Sequence, residues 1–273
     1  MFKPITALVP GVAMKKTLVR WGAVLGLVGG AMLVPLVTGV RVLALPDDQI
    51  VQKLRPIPVF AIADAQGAPL VASGAEGPNK TPVAGVFISQ RDAQAFLDGL
   101  KTKNPELAKN VRVVPVSLGE VYQLERTSKS KPDRLDFAFV PMQQQVDSAV
   151  ALLKQGGQPN AQFNGVPLFL ARGGQEKGYL TIQRKNPQGK DEQVIPIFFK
   201  KEELQSMLER FKQQQPNLAG TIEIQVVNLE GVIETLQKSD NPQLGQIVLI
   251  PPQESLEFVR SLQPVPSGKP APR

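Results

Sequence analysis

Asp64, Asp98, Glu120, Glu203 and Glu230 are the side chains whose type could do acid–base chemistry, since a carboxylate moves a proton when a second one faces it across the reacting bond. Nothing in their spacing brings two of them together. Asp64 sits in Ala63-Asp64-Ala65-Gln66-Gly67, where it reads as a turn residue, and the others fit solvated faces and caps. The chain has no histidine and no cysteine. That removes Ser-His and Cys-His nucleophiles, thiol redox chemistry, disulfides and metal sites built on those ligands. Gly156-Gly157 and Gly173-Gly174 lack the strand-to-helix setting of a phosphate loop, and no Walker or dinucleotide fingerprint occurs. The expectation is a binding protein, not an enzyme, with no catalytic residue, cofactor or metal.

The charge points the same way. A net charge of +7 and a pI near 9.6 would raise nucleic acid as a partner. However, Lys3, Lys15, Lys16, Arg20 and Arg41 all precede Leu45, in a stretch with no acid, which leaves 26 Lys+Arg against 24 Asp+Glu, a net of +2. No basic stripe is interleaved with aromatics, so no nucleic-acid partner is expected.

The elements that must position any site are written twice. Gly85 to Leu118 is echoed by Pro196 to Leu229 at a constant offset of 111, with Phe87, Gln94, Leu97, Lys101, Pro105, Leu107, Ala108, Val116 and Leu118 recurring as Phe198, Gln205, Leu208, Lys212, Pro216, Leu218, Ala219, Val227 and Leu229. Outward of that, Pro58-Val59-Phe60 answers to Pro167-Leu168-Phe169, and Val140-Pro141 to Ile250-Pro251. A repeated unit of this size is an internal duplication. The fold class expected is α+β, with two similar halves, each a small β-sheet with packed helices, related by a pseudo-two-fold axis.

In chain order, Pro46-Asp47-Asp48 opens a brief helix. Val59–Ile62 and Pro69–Ala72 form a hairpin, and Ser73–Pro82 is loop. After the strand Val86–Ile88, the capping box Ser89-Gln90-Arg91-Asp92 starts a helix whose apolar face is Ala93, Phe96, Leu97 and Leu100, repeated as Leu204, Met207, Leu208 and Phe211. Asn104-Pro105 and Gln215-Pro216 stop both helices. Strands over 111–116 and 222–227 lead to short helices capped by Ser117 with Glu120 and by Asn228. Polar loops follow at Glu125–Asp136 and Gln237–Gln246. Strands Phe137–Val140 and Ile247–Ile250 then lead into helices carrying Val146, Ala149, Val150 and Leu153, and Leu256, Val259 and Leu262. The halves are 45–155 and 165–262, with a linker at 156–164 and a disordered Pro-rich tail at 263–273.

Residues 1–44 read as a signal peptide. Met14 begins MKKTLVRW, a basic start in its own right; Trp21 to Val40 is apolar, and Val42-Leu43-Ala44 suits a signal peptidase, so cleavage after Ala44 is expected.

What remains for function is apolar surface. Phe87, Phe96, Met142, Phe169, Phe198, Phe199, Met207 and Phe211 are the candidate client-binding residues. Two equivalent grooves, one per half, would hold an extended apolar ligand by avidity, and flexible Met and aromatic surfaces suit promiscuous binding.

Several motifs also resemble one known family. Val86-Phe87-Ile88-Ser89-Gln90 with Asp92-Ala93-Gln94-Ala95-Phe96-Leu97, the run Val113-Val114-Pro115-Val116-Ser117-Leu118-Gly119-Glu120-Val121-Tyr122, then Gly165-Val166-Pro167-Leu168-Phe169 and Val226-Val227-Asn228-Leu229-Glu230 are similar to the twenty-two-kilodalton subunit of the chloroplast inner-envelope translocon (the Tic complex). With a bacterial-type leader, the resemblance implies a cyanobacterial member, soluble or peripherally membrane-attached, in the periplasm and also near the thylakoid. It further implies a two-halved fold with apolar pockets and no catalytic residues. The function it implies is that of a chaperone for unfolded outer-membrane β-barrel precursors, in the same pathway as the Omp-type barrel-assembly machinery and so in outer-membrane biogenesis. The alternative is an adaptor for a folded translocon or barrel-assembly component.

Overall fold

Strand alternation explains the architecture. In a computed structural model, residues 45–72, 81–131, 134–174, 177–186, 188–216, 220–239 and 241–262 are described. The leader with its cleavage point, residues 73–80 of the expected loop 73–82 and the tail 263–273 lie outside the described residues. The helix α1 (Asp47–Leu54) comes first, followed by β1 (Pro58–Asp64), β2 (Val71–Ala72), β3 (Val83–Phe87), α2 (Gln90–Lys103), α3 (Pro105–Lys109), β4 (Val111–Ser117), α4 (Leu118–Ser128), β5 (Asp136–Val140) and α5 (Gln143–Gln155). The second half runs β6 (Pro167–Gly173), β7 (Gly178–Tyr179), β8 (Ile182–Lys185), β9 (Asp191–Phe198), α6 (Lys201–Gln214), β10 (Glu223–Asn228), α7 (Leu229–Lys238), β11 (Ile247–Ile250) and α8 (Gln253–Ser261).

The fold is therefore mixed α+β with two sheets, and the sheets share one plan. In the first, β1 lies between β4 and β3, antiparallel to both, and β5 runs parallel to β3. In the second, β6 lies between β10 and β9, antiparallel to both, and β11 runs parallel to β9. Short β2 joins β3, while β7 and β8 extend β6 and β9.

Successive strand residues point to opposite faces, so each sheet feeds two cores. Val59, Val86 and Ile88 of the first sheet and Leu168, Leu170, Ile195, Ile197 and Phe199 of the second meet α1, α4 and α7 in one continuous cluster. On the outer face of the first sheet, Phe60, Ile62 and Phe87 pack on Ala93 and Leu97 of α2. On the outer face of the second, Phe169, Ala171 and Phe198 pack on Leu204 and Leu208 of α6.

The last helix of each half covers the other half's sheet. Ala149 and Leu152 of α5 join the Phe169–Phe198 cluster, and Phe258 of α8 sets its ring edge-on to Phe60, 5.7 Å between centroids. Polar contacts hold this exchange. Buried Gln145 donates to Glu202 at 2.8 Å and accepts from the Lys201 amide at 2.9 Å, capping α6, whose own N-cap Lys200 supplies no side-chain bond. Ser255, at the matching place in α8, donates to the Ile88 carbonyl at 3.4 Å beside the start of α2. Lys200 pairs with Glu254 at 2.7 Å.

Local signals often hold. Ser117 and Glu120 form the expected capping box, and Asn228 caps α7. Three boundaries differ. Asn104 ends α2 yet caps α3, accepting from the Leu107 amide, so the chain re-enters a helix at Pro105. The expected loop from Glu125 begins later, because α4 runs on to Ser128 and Arg126 reaches Asp47 of α1 at 2.6 Å. Within 237–246, Pro242–Gln246 makes a 3-10 turn that buries Leu244.

Candidate functional site

The first sheet carries alanine where the second carries bulk. On its inner face Ala61 and Ala63 of β1 and Ala84 of β3 form a shallow floor beside Val86, Val114 and Val116. One wall is α4, with Val121, Leu124 and Thr127; the other is Leu135 and Phe137, and the β1–β2 turn at Gly67 and Pro69 closes an end. The result is an open pocket of about 670 Å³. Gly67 turns with φ +86°, a value that suits glycine.

Register shows why the alanine-floored space is not repeated on the second sheet. Ala61 faces Val114 across the ladder as Leu170 faces Gln225, and Ala84 pairs with Phe137 as Ile195 pairs with Ile247. Leu170 and Ile195 are both buried in the shared core. The expectation of two equivalent grooves is thus corrected: the matching space in the second half is occupied by its own side chains.

The pocket's chemistry is apolar. Glu120, Gln123 and Thr127 are the polar side chains along it, and Glu120 is engaged by the Ser117 amide at 3.1 Å. Leu124 stands at the mouth, 57% exposed. A large apolar residue held open beside a concave apolar surface suits a ligand that brings its own apolar side chain.

Of the candidate client-binding residues, Phe87, Met142, Phe169, Phe198 and Phe199 are corrected to core, since all are buried and Phe169 and Phe199 are fully so. Strands covered on both faces bury the aromatics of both registers. Phe96 is 49% exposed and packs at 5.5 Å on Phe87, while Met207 and Phe211 are partly exposed on α6. These three lie on two different helices and none lines the pocket. The alanines that do were not singled out, because alanine in a strand carries no sequence signal for binding. Leu124, an apolar residue off the buried face of Leu118, Val121 and Tyr122 on α4, is a usable sign.

The five carboxylates serve the fold. Asp64 accepts from the Gln66 and Ala68 amides, each at 2.9 Å. Asp98 pairs with Lys101 at 2.8 Å, and that bond, aided by Gln94, lowers its pKa. Glu230 accepts from the Val166 amide at 3.3 Å. Glu203 receives the Gln253 amide at 2.9 Å, and burial raises its pKa. No group of three or more acidic residues among those described is placed to hold a metal ion, and no helix among them is long and apolar enough to cross a membrane.

Comparison with known proteins bears on the fold and the family. Residues 29–261 match the model of the Tic22-like family. Among related proteins, Protein TIC 22-like, chloroplastic, of Arabidopsis thaliana is 27% identical over 212 residues, 76% of this chain and 62% of that protein. Protein TIC 22, chloroplastic, of the same plant is 30% identical over 167 residues, 61% of this chain and 54% of that protein. The match to Protein TIC 22, chloroplastic, of Pisum sativum covers 74% of its length at 24% identity. This chain thus spans less than two thirds of the two Arabidopsis relatives. The solved structure of Anabaena Tic22, a protein-transport protein, superposes with a TM-score of 0.71 at 35% identity, covering 81% of this chain and all of that one. Tic22 from Plasmodium falciparum shares the fold, with a TM-score of 0.58 at 21% identity. The chain belongs to the Tic22-like family.

Proposed function

We propose that this protein is a periplasmic chaperone that holds unfolded outer-membrane β-barrel precursors and delivers them to the barrel-assembly machinery. One observation carries the proposal: the alanine-floored pocket of about 670 Å³, open to solvent and walled by Leu124, Val121 and Phe137. An unfolded chain offers isolated apolar side chains, and a pocket of this size takes one or two of them without requiring a particular sequence. Apolar burial drives such binding, with no nucleotide and little dependence on salt. The likeness to Anabaena Tic22, a protein-transport protein, supports this reading, as does membership of a family with chloroplast relatives.

The duplication read from sequence, with its pseudo-two-fold relation, belongs to the same proposal: one unit was copied, and the copies diverged at the sheet faces. Matching strand plans and the reciprocal exchange of α5 and α8 support it. The first copy keeps a binding face and the second contributes packing.

The test is a photo-reactive amino acid at position 124. Mixed with a urea-unfolded barrel protein on dilution, the labelled chaperone should crosslink to it, and an excess of folded barrel should not compete. Crosslinking only to a folded assembly component would replace the chaperone with an adaptor.

A further inference from the structure

The second sheet ends in a strand edge that the first sheet closes. In the ladder between β10 and β6, Val226 stands opposite Phe169 and Ile224 opposite Ala171. The Leu229 amide donates to the Val166 carbonyl at 2.8 Å just beyond one end of that ladder. Bonded and non-bonded pairs alternate along antiparallel strands, so Gln225 and Val227 bond to β6, while the N–H and C=O of Ile224 and Val226 point away from the sheet. Among the described residues, β10 is the end strand on this side.

Three further edges, those of β4, β11 and β5, are managed differently. On β4 the Leu118 amide donates to the Ile57 carbonyl at 2.8 Å, which sets the same alternation. The residue matching Val226 there is Pro115, opposite Phe60. Proline has no N–H, and its ring occupies the path of an incoming strand. Against β11, Lys53 donates to the Gly245 and Ile247 carbonyls at 2.7 and 3.0 Å. The edge of β5 opens on a trough set with Glu125, Arg126, Lys129, Glu230 and Glu234, where an apolar strand would desolvate charge. Beside β10 lies a groove of about 290 Å³ that runs from Ile224 and Val226 to Leu152 and Leu153 at the end of α5, and it carries one acid and one base, Glu223 and Arg172, against the five charged residues of the β5 trough.

We infer that the outer edge of β10 takes up an extended polypeptide segment as an added strand, its alternate apolar side chains resting in the groove against Leu152 and Leu153. Only an extended backbone presents amides and carbonyls at the spacing of Ile224 and Val226, and apolar residues at every second position are the pattern of barrel strands. The inference rests on the client-binding reading and adds a second mode of contact: the pocket takes side chains, and the edge takes backbone.

The probe is a fluorescein-labelled ten-residue peptide alternating valine with threonine and lysine, read by anisotropy against the full chain. Val226→Pro, which installs in the second half what Pro115 supplies in the first, should weaken binding at least tenfold. Pro115→Val should raise the stoichiometry from one peptide to two. A twin peptide N-methylated on every residue, with no N–H left on either edge, should fail to bind wild type, an arm that holds even where a variant does not fold. Unchanged affinity of folded Val226→Pro, or full binding of the N-methylated twin, overturns the inference. So does sedimentation showing that wild type self-associates through this edge and that Val226→Pro makes it monomeric, because the occupant would then be a second copy. Wild type that suppresses barrel aggregation as well as Val226→Pro does removes the edge alone. Wild type that binds the peptide yet never touches an unfolded barrel removes the chaperone reading instead.

Discussion

Ala61→Leu places in the pocket floor the side chain that the second half already carries at the matching register, Leu170. Ala61 is only partly buried and faces the open volume, so the added carbons occupy space a client would use instead of displacing core. Fully burying a Leu- or Phe-sized side chain is worth about 1.5–3 kcal/mol. Excluding one such client group therefore raises Kd about tenfold to about 150-fold. The variant's own stability should hold within about 1 kcal/mol, a Tm change of at most about 4 °C. Anisotropy titration with a labelled, unstructured segment of a barrel precursor measures the affinity, and circular dichroism checks the fold. A folded Ala61→Leu with unchanged Kd would refute the reasoning, because the alanine-floored pocket would then not be where clients bind.

Other consequences follow from the packing. Gln145→Ala leaves the Lys201 amide and Glu202 without their buried partner at the α5–α6 joint, so denaturant unfolding should show a loss of about 1–3 kcal/mol. Gly119→Ala pushes a Cβ to 2.7 Å from the Val51 carbonyl where α4 meets α1, and the same measurement should show a loss of about 1–3 kcal/mol. The Glu203 carboxyl is raised by burial, partly offset by the Gln253 amide and Lys200. The folded state therefore holds this proton more tightly than the unfolded one, and stability from this site grows as pH falls through the raised value. Glu203→Gln should flatten that rise in Tm as pH falls through the raised value towards the unfolded carboxylate range; an unchanged slope would contradict the assignment. Asp47 is the opposite case: its bond to Tyr122, with help from Arg126, lowers its pKa. Its contribution is complete above the unfolded carboxylate range and disappears as pH falls through the lowered value, so Asp47→Asn should reduce the loss of stability on strong acidification.

Much of the fold was legible because local rules and the repeat agreed. Ser117 with Glu120 announced α4, Asn228 announced α7, and the 111-residue echo anticipated two sheets built to one plan. What stayed hidden depended on partners distant in sequence. Helical periodicity showed that α5 and α8 each had an apolar face, yet not that Ala149 would meet Phe169 or that Phe258 would meet Phe60. The aromatics looked like a surface because their pairing across the repeat drew attention, whereas strands covered on both sides turn such residues into core. The pocket was invisible for the reverse reason: it exists through the smallness of Ala61, Ala63 and Ala84. The role of α1 was also out of reach, since Ile50 and Leu54 join a core assembled from both halves.

The most direct test of client binding is aggregation of a urea-unfolded outer-membrane barrel protein diluted into buffer with and without residues 45–273, without nucleotide and over a range of salt. The account predicts suppression near a one-to-one ratio that persists in high salt and weakens with Ala61→Leu. No suppression, or suppression abolished by salt, would contradict it and leave the adaptor as the reading to pursue.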